Sequence, residues 1–232
     1  MNRLEELHAN LERVEQRISE ACNAAGRSRA EISLIAVTKT WPADDIKLVA
    51  QLGLKDIGES KDQEAFAKFQ ECGDLGLTWH FIGQIQSNKI RHIAQYADVV
   101  HALDRPKVVD MFDAAARESG RQVTGLVQVS LDVSDVSGRA GVDPETALEL
   151  ADQIARCGNI RLGGVMGVAP LGGDADAAFA LLQGVSQQIS ARFESATMIS
   201  AGMSEDLTEA IAHGATHLRI GSAIMGSRSY VQ

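Results

Sequence analysis

Lys39 follows an unbroken apolar run, Leu34-Ile35-Ala36-Val37, with only Thr38 between, and Pro42 comes shortly after it. A run of this kind suits a strand buried on both faces of a parallel sheet. Pro42 cannot donate to a sheet ladder, so Lys39 stands where strand gives way to loop. In parallel α/β folds that edge is where ligands bind. A desolvated lysine there has a lowered pKa and acts as a neutral amine, the form that condenses with an aldehyde to a Schiff base. From position alone two plainer readings stay open: the side chain snorkels to solvent, or it pairs with a carboxylate such as Glu59.

A second cluster of chemistry lies near the carboxyl end. Ser200-Ala201-Gly202-Met203-Ser204-Glu205-Asp206 follows one apolar segment, and Gly221-Ser222 follows another. Ser204 is placed to cap a helix with Glu205 and Asp206 in its first turn. Gly221 and Ser222 open a short helix, where free amides, hydroxyls and an unencumbered glycine can cradle a phosphate. The plainer reading of Gly221-Ser222 is a tight turn with a helix cap. Arg219 alternates with Leu218 and Ile220, so it faces the other side of its strand. It can donate to a ring nitrogen or an anion at a barrel mouth, or pair with Glu59 or another carboxylate. A lysine nucleophile and a phosphate cradle on one rim together point to a phosphorylated aldehyde.

These residues need a scaffold that brings strand ends to one edge. The pattern of short apolar strand, turn and amphipathic helix predicts strands at 33–38, 55–58, 78–82, 98–102, 123–130, 160–167, 197–200 and 216–220. Helices are expected near 43–53, 60–72, 87–95, 106–119, 144–156, 175–193 and 204–213, with a helical turn from 222. Such alternation fits a single (β/α)8 TIM barrel, with a doubly wound sheet as runner-up. No G-x-G-x-x-G follows the first strand, so the dinucleotide fingerprint of the doubly wound fold is missing. Residues 2–26 carry Leu4, Leu7, Leu11, Val14, Ile18 and Cys22 at helical spacing and end at Gly26. This extra N-terminal helix is expected to cover the barrel floor or to meet a partner.

Composition narrows the partners. With 45% hydrophobic and 23% charged residues among 232, the chain can bury the core of one domain spanning 1–232. A net charge of -9 disfavours nucleic acid and anionic membranes. No apolar run approaches a membrane span, and a cytoplasmic location is expected. Cys22, Cys72 and Cys157 lack paired spacing and the six histidines are scattered, so no metal site is expected.

With these residues in hand, the chain resembles the YggS/PROSC family of pyridoxal phosphate homeostasis proteins, whose barrel is similar to the N-terminal domain of alanine racemase. The resemblance rests on Ala36-Val37-Thr38-Lys39, Gly58-Glu59, Trp79-His80-Phe81-Ile82-Gly83, Gln86-Ser87-Asn88-Lys89, Gly202-Met203-Ser204 with Asp206, and the run Arg219 to Gly226. It spans about Leu4 to Tyr230. It implies the fold-type III barrel, pyridoxal 5′-phosphate (PLP) as cofactor, and Lys39 as its Schiff-base lysine. By the same matching Ser200, Gly221 and Ser222 hold the phosphate and Arg219 faces the pyridine nitrogen. An arginine there keeps that nitrogen unprotonated and weakens the electron sink, which suits a carrier better than a catalyst.

Several positions depart from the family pattern. Ser60 stands where the family has asparagine, a shorter group at a cofactor-binding position. Ala201 replaces a common methionine and Ser222 a common threonine. Arg139 takes the place of a lysine in a longer 132–141 segment, where a second anionic ligand is expected. His80 reads as a structural residue. The implied function is storage, buffering or delivery of PLP, with PLP-dependent apoenzymes as recipients and a monomeric state. The alternative is a PLP-dependent amino-acid racemase, which needs a second base, typically tyrosine; only Tyr96 and Tyr230 exist, outside the matched segments. A third reading, a Schiff-base aldolase acting on a phosphosugar, lacks an evident acid–base partner near Lys39.

Overall fold

The computed structural model describes residues 2–132 and 141–226. Its eight strands are β1 (Ser33–Val37), β2 (Asp56–Glu59), β3 (Thr78–Phe81), β4 (Val99–Leu103), β5 (Val123–Gln128), β6 (Ile160–Met166), β7 (Met198–Ser200) and β8 (His217–Ile220). They pair in sequence order, all parallel, and close into a barrel. The seam is the β1–β8 ladder, with Leu34 opposite Leu218 and Ala36 opposite Ile220. The expected (β/α)8 barrel is therefore the fold, and the open sheet is set aside. Every residue of β4 is buried, as the double burial of a barrel strand demands.

The outer layer holds α1 (Arg3–Ala24), α2 (Ala43–Gln51), α3 (Asp62–Cys72), α4 (Ile90–Ile93), α5 (Pro106–Glu118), α6 (Ala147–Ala155), α7 (Ala175–Arg192), α8 (Leu207–Ala212) and α9 (Ser222–Met225). Two expected helices are shorter because their first turns are 3-10 in form, over Ser87–Lys89 and Pro144–Thr146. The helix expected from Ser204 starts only at Leu207. Asp206 directs its carboxylate to the Met203 amide at 2.6 Å and closes a loop there, so Ser204 caps nothing.

α1 begins with a capping box in which Asn2 and Glu5 exchange backbone-to-side-chain hydrogen bonds. Its apolar stripe, Leu7, Val14, Ile18 and Cys22, is buried, and it packs on α8 and α9 rather than over the floor of the barrel. Two of its polar side chains finish α9. Asn10 Nδ2 donates to the Ile224 carbonyl at 2.8 Å, and Arg3 Nη2 donates to that of Met225 at 2.9 Å. These are carbonyls that a helix terminus leaves without internal partners. Asn10→Ala is expected to cost about 1–3 kcal/mol by stranding the Ile224 carbonyl. The check is the urea midpoint, which should fall with m unchanged; an unchanged midpoint would mean that α1 does not hold α9.

Close backbone approach requires glycine at two sites, one within β6 and one just after β3. A Cβ on Gly164, whose φ is +142°, would lie 2.0 Å from the Met198 carbonyl oxygen of the neighbouring strand. One on Gly83 would lie 2.2 Å from the Ser60 carbonyl oxygen. The loops after β2 and β3 are thus drawn together at the rim.

Candidate functional site

Lys39 sits in the turn after β1, with its side chain exposed. It makes no hydrogen bond or ion pair to another described residue, so the expected burial is not found, nor the alternative pairing with Glu59. What is buried is the support beneath it. Glu59, the last residue of β2, is fully buried. Its Oε1 accepts from Thr38 Oγ1 at 2.7 Å and from Lys68 Nζ at 2.6 Å. Lys68, on α3 and only 5% exposed, also reaches Glu64 Oε1 at 2.6 Å and the Thr38 carbonyl at 2.8 Å. Glu64 in turn accepts from the Thr40 amide.

Thr40 is the one non-glycine residue with positive φ among the described residues, at 70°. A left-handed threonine is strained and persists only where its surroundings hold it. Lys68 and its two carboxylates fix the residues on both sides of Lys39, leaving the amine itself free. Burial pushes the Glu59 carboxyl above the usual carboxylate range, and Lys68 and Thr38 pull it back only in part.

Arg219, on β8, points into the barrel and is 5% exposed. Nη1 donates to Ser200 Oγ at 2.6 Å and Nη2 to the Gly167 carbonyl at 2.8 Å. Two of five guanidinium hydrogens are thereby committed and the rest can meet another acceptor. Burial lowers its pKa to about 10 and the carboxylate of Asp206 works against that. It stays a cation at neutral pH. Ser200, at the end of β7, turns its side chain inward as well: Oγ lies 2.9 Å from His101 Nδ1, on β4. His101 Nε2 lies 2.9 Å from His80 Nδ1, on β3, and His80 Nε2 lies 2.9 Å from Asp56 Oδ1, on β2. His80 therefore has a defined place inside the barrel, and the alternative reading of Arg219, an ion pair with Glu59, is not found.

Gly221 and Ser222 follow β8 and begin α9, whose first amides have no partner within the helix. A Cβ on Gly221 would make only ordinary contact, 3.6 Å from Val37, and its φ is negative. Neither packing nor a left-handed φ demands glycine here, so the small residue leaves its backbone open to a ligand. Ser60 follows β2 and lines a rim cavity of about 390 Å³ with Lys61, Asp62, Gln84, Gln86 and Lys89. Lys39, Ser60, Ser200, Gly221 and Ser222 thus gather on one rim, over the adjoining strands β7, β8, β1 and β2. Arg139 lies outside the described residues.

Sequence reasoning missed Lys68, Glu64 and His101. The signal for Lys68 was a charged residue on the buried stripe of α3, between Ala65 and Cys72. For His101 it was an imidazole inside the apolar run Val99-Val100-His101-Ala102-Leu103.

The closed parallel barrel, with an exposed lysine after β1 and a buried arginine on β8, falls in a known class: residues 4–229 match the family model for the alanine racemase N-terminal domain. A solved alanine racemase of Clostridium difficile superposes with a TM-score of 0.77 at 12% identity, covering 98% of this chain and 61% of its own, which shows the shared barrel. Within that class the chain belongs to the pyridoxal phosphate homeostasis protein family. It is 40% identical to the pyridoxal phosphate homeostasis protein of Pseudomonas aeruginosa over 228 residues, 95% of each chain. PipY of Synechococcus elongatus, solved with PLP bound, is 32% identical with a TM-score of 0.77, covering 90% of this chain and all of its own. No helix among the described residues is long and apolar enough to cross a membrane.

Proposed function

We propose that this chain binds PLP at the rim over β7, β8, β1 and β2, holds it as a Schiff base on Lys39, and serves PLP homeostasis by storing or delivering it. The observation that carries this reading is an exposed lysine with no bond to another described residue, on a turn held through Thr38 and Thr40, beside an open glycine backbone and a buried arginine with donors to spare. The donor set matches the chemical groups of the cofactor. Lys39 supplies the amine for the aldehyde, Gly221 and Ser222 the amides and hydroxyl for the phosphate, and Arg219 a hydrogen-bond donor for the ring nitrogen. Ser200 acts from beneath through Arg219, since its hydroxyl is already engaged by Arg219 and His101. Ser60 borders the cofactor at the β2 edge.

When bound, the cofactor supplies an electron sink, and a guanidinium facing the ring nitrogen limits it, because arginine does not give up its proton there. An exposed Lys39 also leaves the site open to water and to exchange. Carbanion chemistry gets little protection under those conditions, whereas binding and release are easy. Tyr96 cannot act as a second base, since it is buried against Asp62 and burial raises its pKa. Tyr230 lies outside the described residues. PLP-dependent apoenzymes remain the proposed recipients, and the monomer the proposed state.

The test is the absorbance spectrum of purified protein incubated with PLP, before and after borohydride, followed by peptide mapping. The expected result is a reduced adduct on Lys39 and its loss in Lys39→Ala with the fold retained. A spectrum that added PLP leaves unchanged, or an adduct on another lysine, would overturn the assignment.

A further inference from the structure

We infer that His80 and His101 are positioning residues for Arg219: with Asp56 and Ser200 they form a one-directional hydrogen-bond file through the barrel interior that aims the guanidinium at the cofactor ring. The inference rests on the PLP reading for what Arg219 meets at the mouth, but the file itself is a property of the protein alone.

The geometry is a continuous series of short contacts across the barrel. Arg219 Nη1 to Ser200 Oγ is 2.6 Å, Ser200 Oγ to His101 Nδ1 is 2.9 Å, His101 Nε2 to His80 Nδ1 is 2.9 Å, and His80 Nε2 to Asp56 Oδ1 is 2.9 Å. Ser200 and His101 have no exposed surface and His80 has 2%. Asp56 is the outlet: it opens β2, and its side chain is 25% exposed. The file thus runs from the amino-terminal side of the barrel to the arginine below the rim.

Counting protons fixes its direction. Arg219 can only donate, so Ser200 Oγ accepts from it. The Ser200 hydroxyl proton then has one acceptor within reach, His101 Nδ1. That places the His101 proton on Nε2, where it is donated to His80 Nδ1. The His80 proton sits on Nε2 and is donated to the Asp56 carboxylate. Every proton in the file has an acceptor. The reverse arrangement needs a cationic His80 and makes His101 Nδ1 a donor to Ser200. Two donors would then face one buried hydroxyl whose own proton has no partner, which is costly in a dry interior. Burial holds His101 well below the ordinary histidine range, with His80, Arg219 and His217 adding to it, in keeping with the neutral file.

The consequence is that Arg219 is held from one side by Ser200 and from the other by the Gly167 carbonyl, with its remaining donors free for a ligand. Ser200 has no free proton for a phosphate. Its replacement and that of His101 should therefore act on the same quantity.

The experiment uses the full chain and two readouts. First, nitrogen NMR of histidine-labelled, PLP-free protein should show both His80 and His101 protonated at Nε2 and unprotonated at Nδ1; a proton on His101 Nδ1 would overturn the direction. Second, PLP affinity and the nitrogen resonance of ring-labelled PLP are measured in Ser200→Ala, His101→Leu, His101→Gln and the Ser200→Ala/His101→Leu double variant. Each of Ser200→Ala and His101→Leu should weaken PLP roughly ten- to hundredfold and move the ring-nitrogen resonance, by loss of one aimed, charge-assisted contact. The double variant should be no weaker than the worse single one. His101→Gln keeps an acceptor and a donor on one side chain and should recover part of the loss. Additive losses, as expected if Ser200 held the phosphate independently, or an unmoved ring nitrogen, would overturn the inference. If His101→Leu does not fold, the near-isosteric Ser200→Ala carries the ring-nitrogen readout. Failure of the unsubstituted protein to bind PLP would count against the proposed function, while the first readout would still decide the file.

Discussion

Lys68→Met is expected to destabilise the protein by about 3–5 kcal/mol and to lower Tm by roughly 10 °C. The lysine is the buried cation between Glu59 and Glu64, 2.6 Å from each. Removing it leaves Glu59, fully buried and already pushed up in pKa, with only Thr38 as a partner. A charge stranded in this way must take up a proton or open the structure to water. The effect should be non-additive. Lys68→Met combined with Glu59→Gln removes both charges and should recover a good part of the loss, because replacing a whole buried pair costs far less than breaking it. The turn around Lys39 loses its hold on the Thr38 carbonyl as well, so PLP uptake should fall along with stability. Calorimetric melts of the single and double variants decide it. A Lys68→Met protein that melts with the unsubstituted one would refute the clamp.

The second large effect is loss of stability in mild acid. His217 is pushed down to about 4 by burial, with His80 adding and Asp56 opposing. His101 is lowered well below the ordinary value, again by burial first, then by His80, Arg219 and His217. A histidine with a depressed pKa in the folded state stays neutral there while the unfolded chain takes a proton. Stability is therefore intact above the unfolded value near 6.5 and declines as pH falls towards the folded value. For His217 alone the loss is about 3 kcal/mol by pH 4. Glu59 works the other way, since its raised pKa favours the folded state as it protonates. His217→Gln isolates the histidine contribution. Urea unfolding at pH 7, 5.5 and 4.5 should show a steep decline in the parent and a flatter one in the variant. Equal slopes would place the acid sensitivity elsewhere.

The barrel was legible because β1, β4, β5 and β6 carry mostly buried apolar residues on both faces, and turn residues punctuate the chain between strands. The position of Lys39 after β1 followed from Pro42 in the same way. The internal polar contacts were not legible, because His101 and Ser200 are 99 residues apart and meet only once the barrel closes. Ser200 was assigned to the phosphate by the family resemblance, and its contacts with His101 and Arg219 could not be read from the sequence. Lys68 was hidden by type, since a lysine on a helix is ordinarily solvated, and only its place on the Ala65–Cys72 stripe marked it as buried. The start of α8 was misplaced because an acidic residue near a helix start can cap the helix or close the loop before it. Asp206 does the latter.

The contacts from Asn10 and Arg3 to α9 have a consequence for how the chain acquires its site. They join residues 214 and 222 positions apart, almost the largest separations the chain allows. Contacts of that separation form late, because loop closure must precede them. During synthesis the first helix emerges early, with its apolar stripe uncovered, and waits for α8 and α9 before it can dock. The end of the barrel with the proposed phosphate cradle is therefore the last part to be completed. A chain that lacks α8 and α9 offers no finished site, so the proposed capture of PLP waits until both helices have been made.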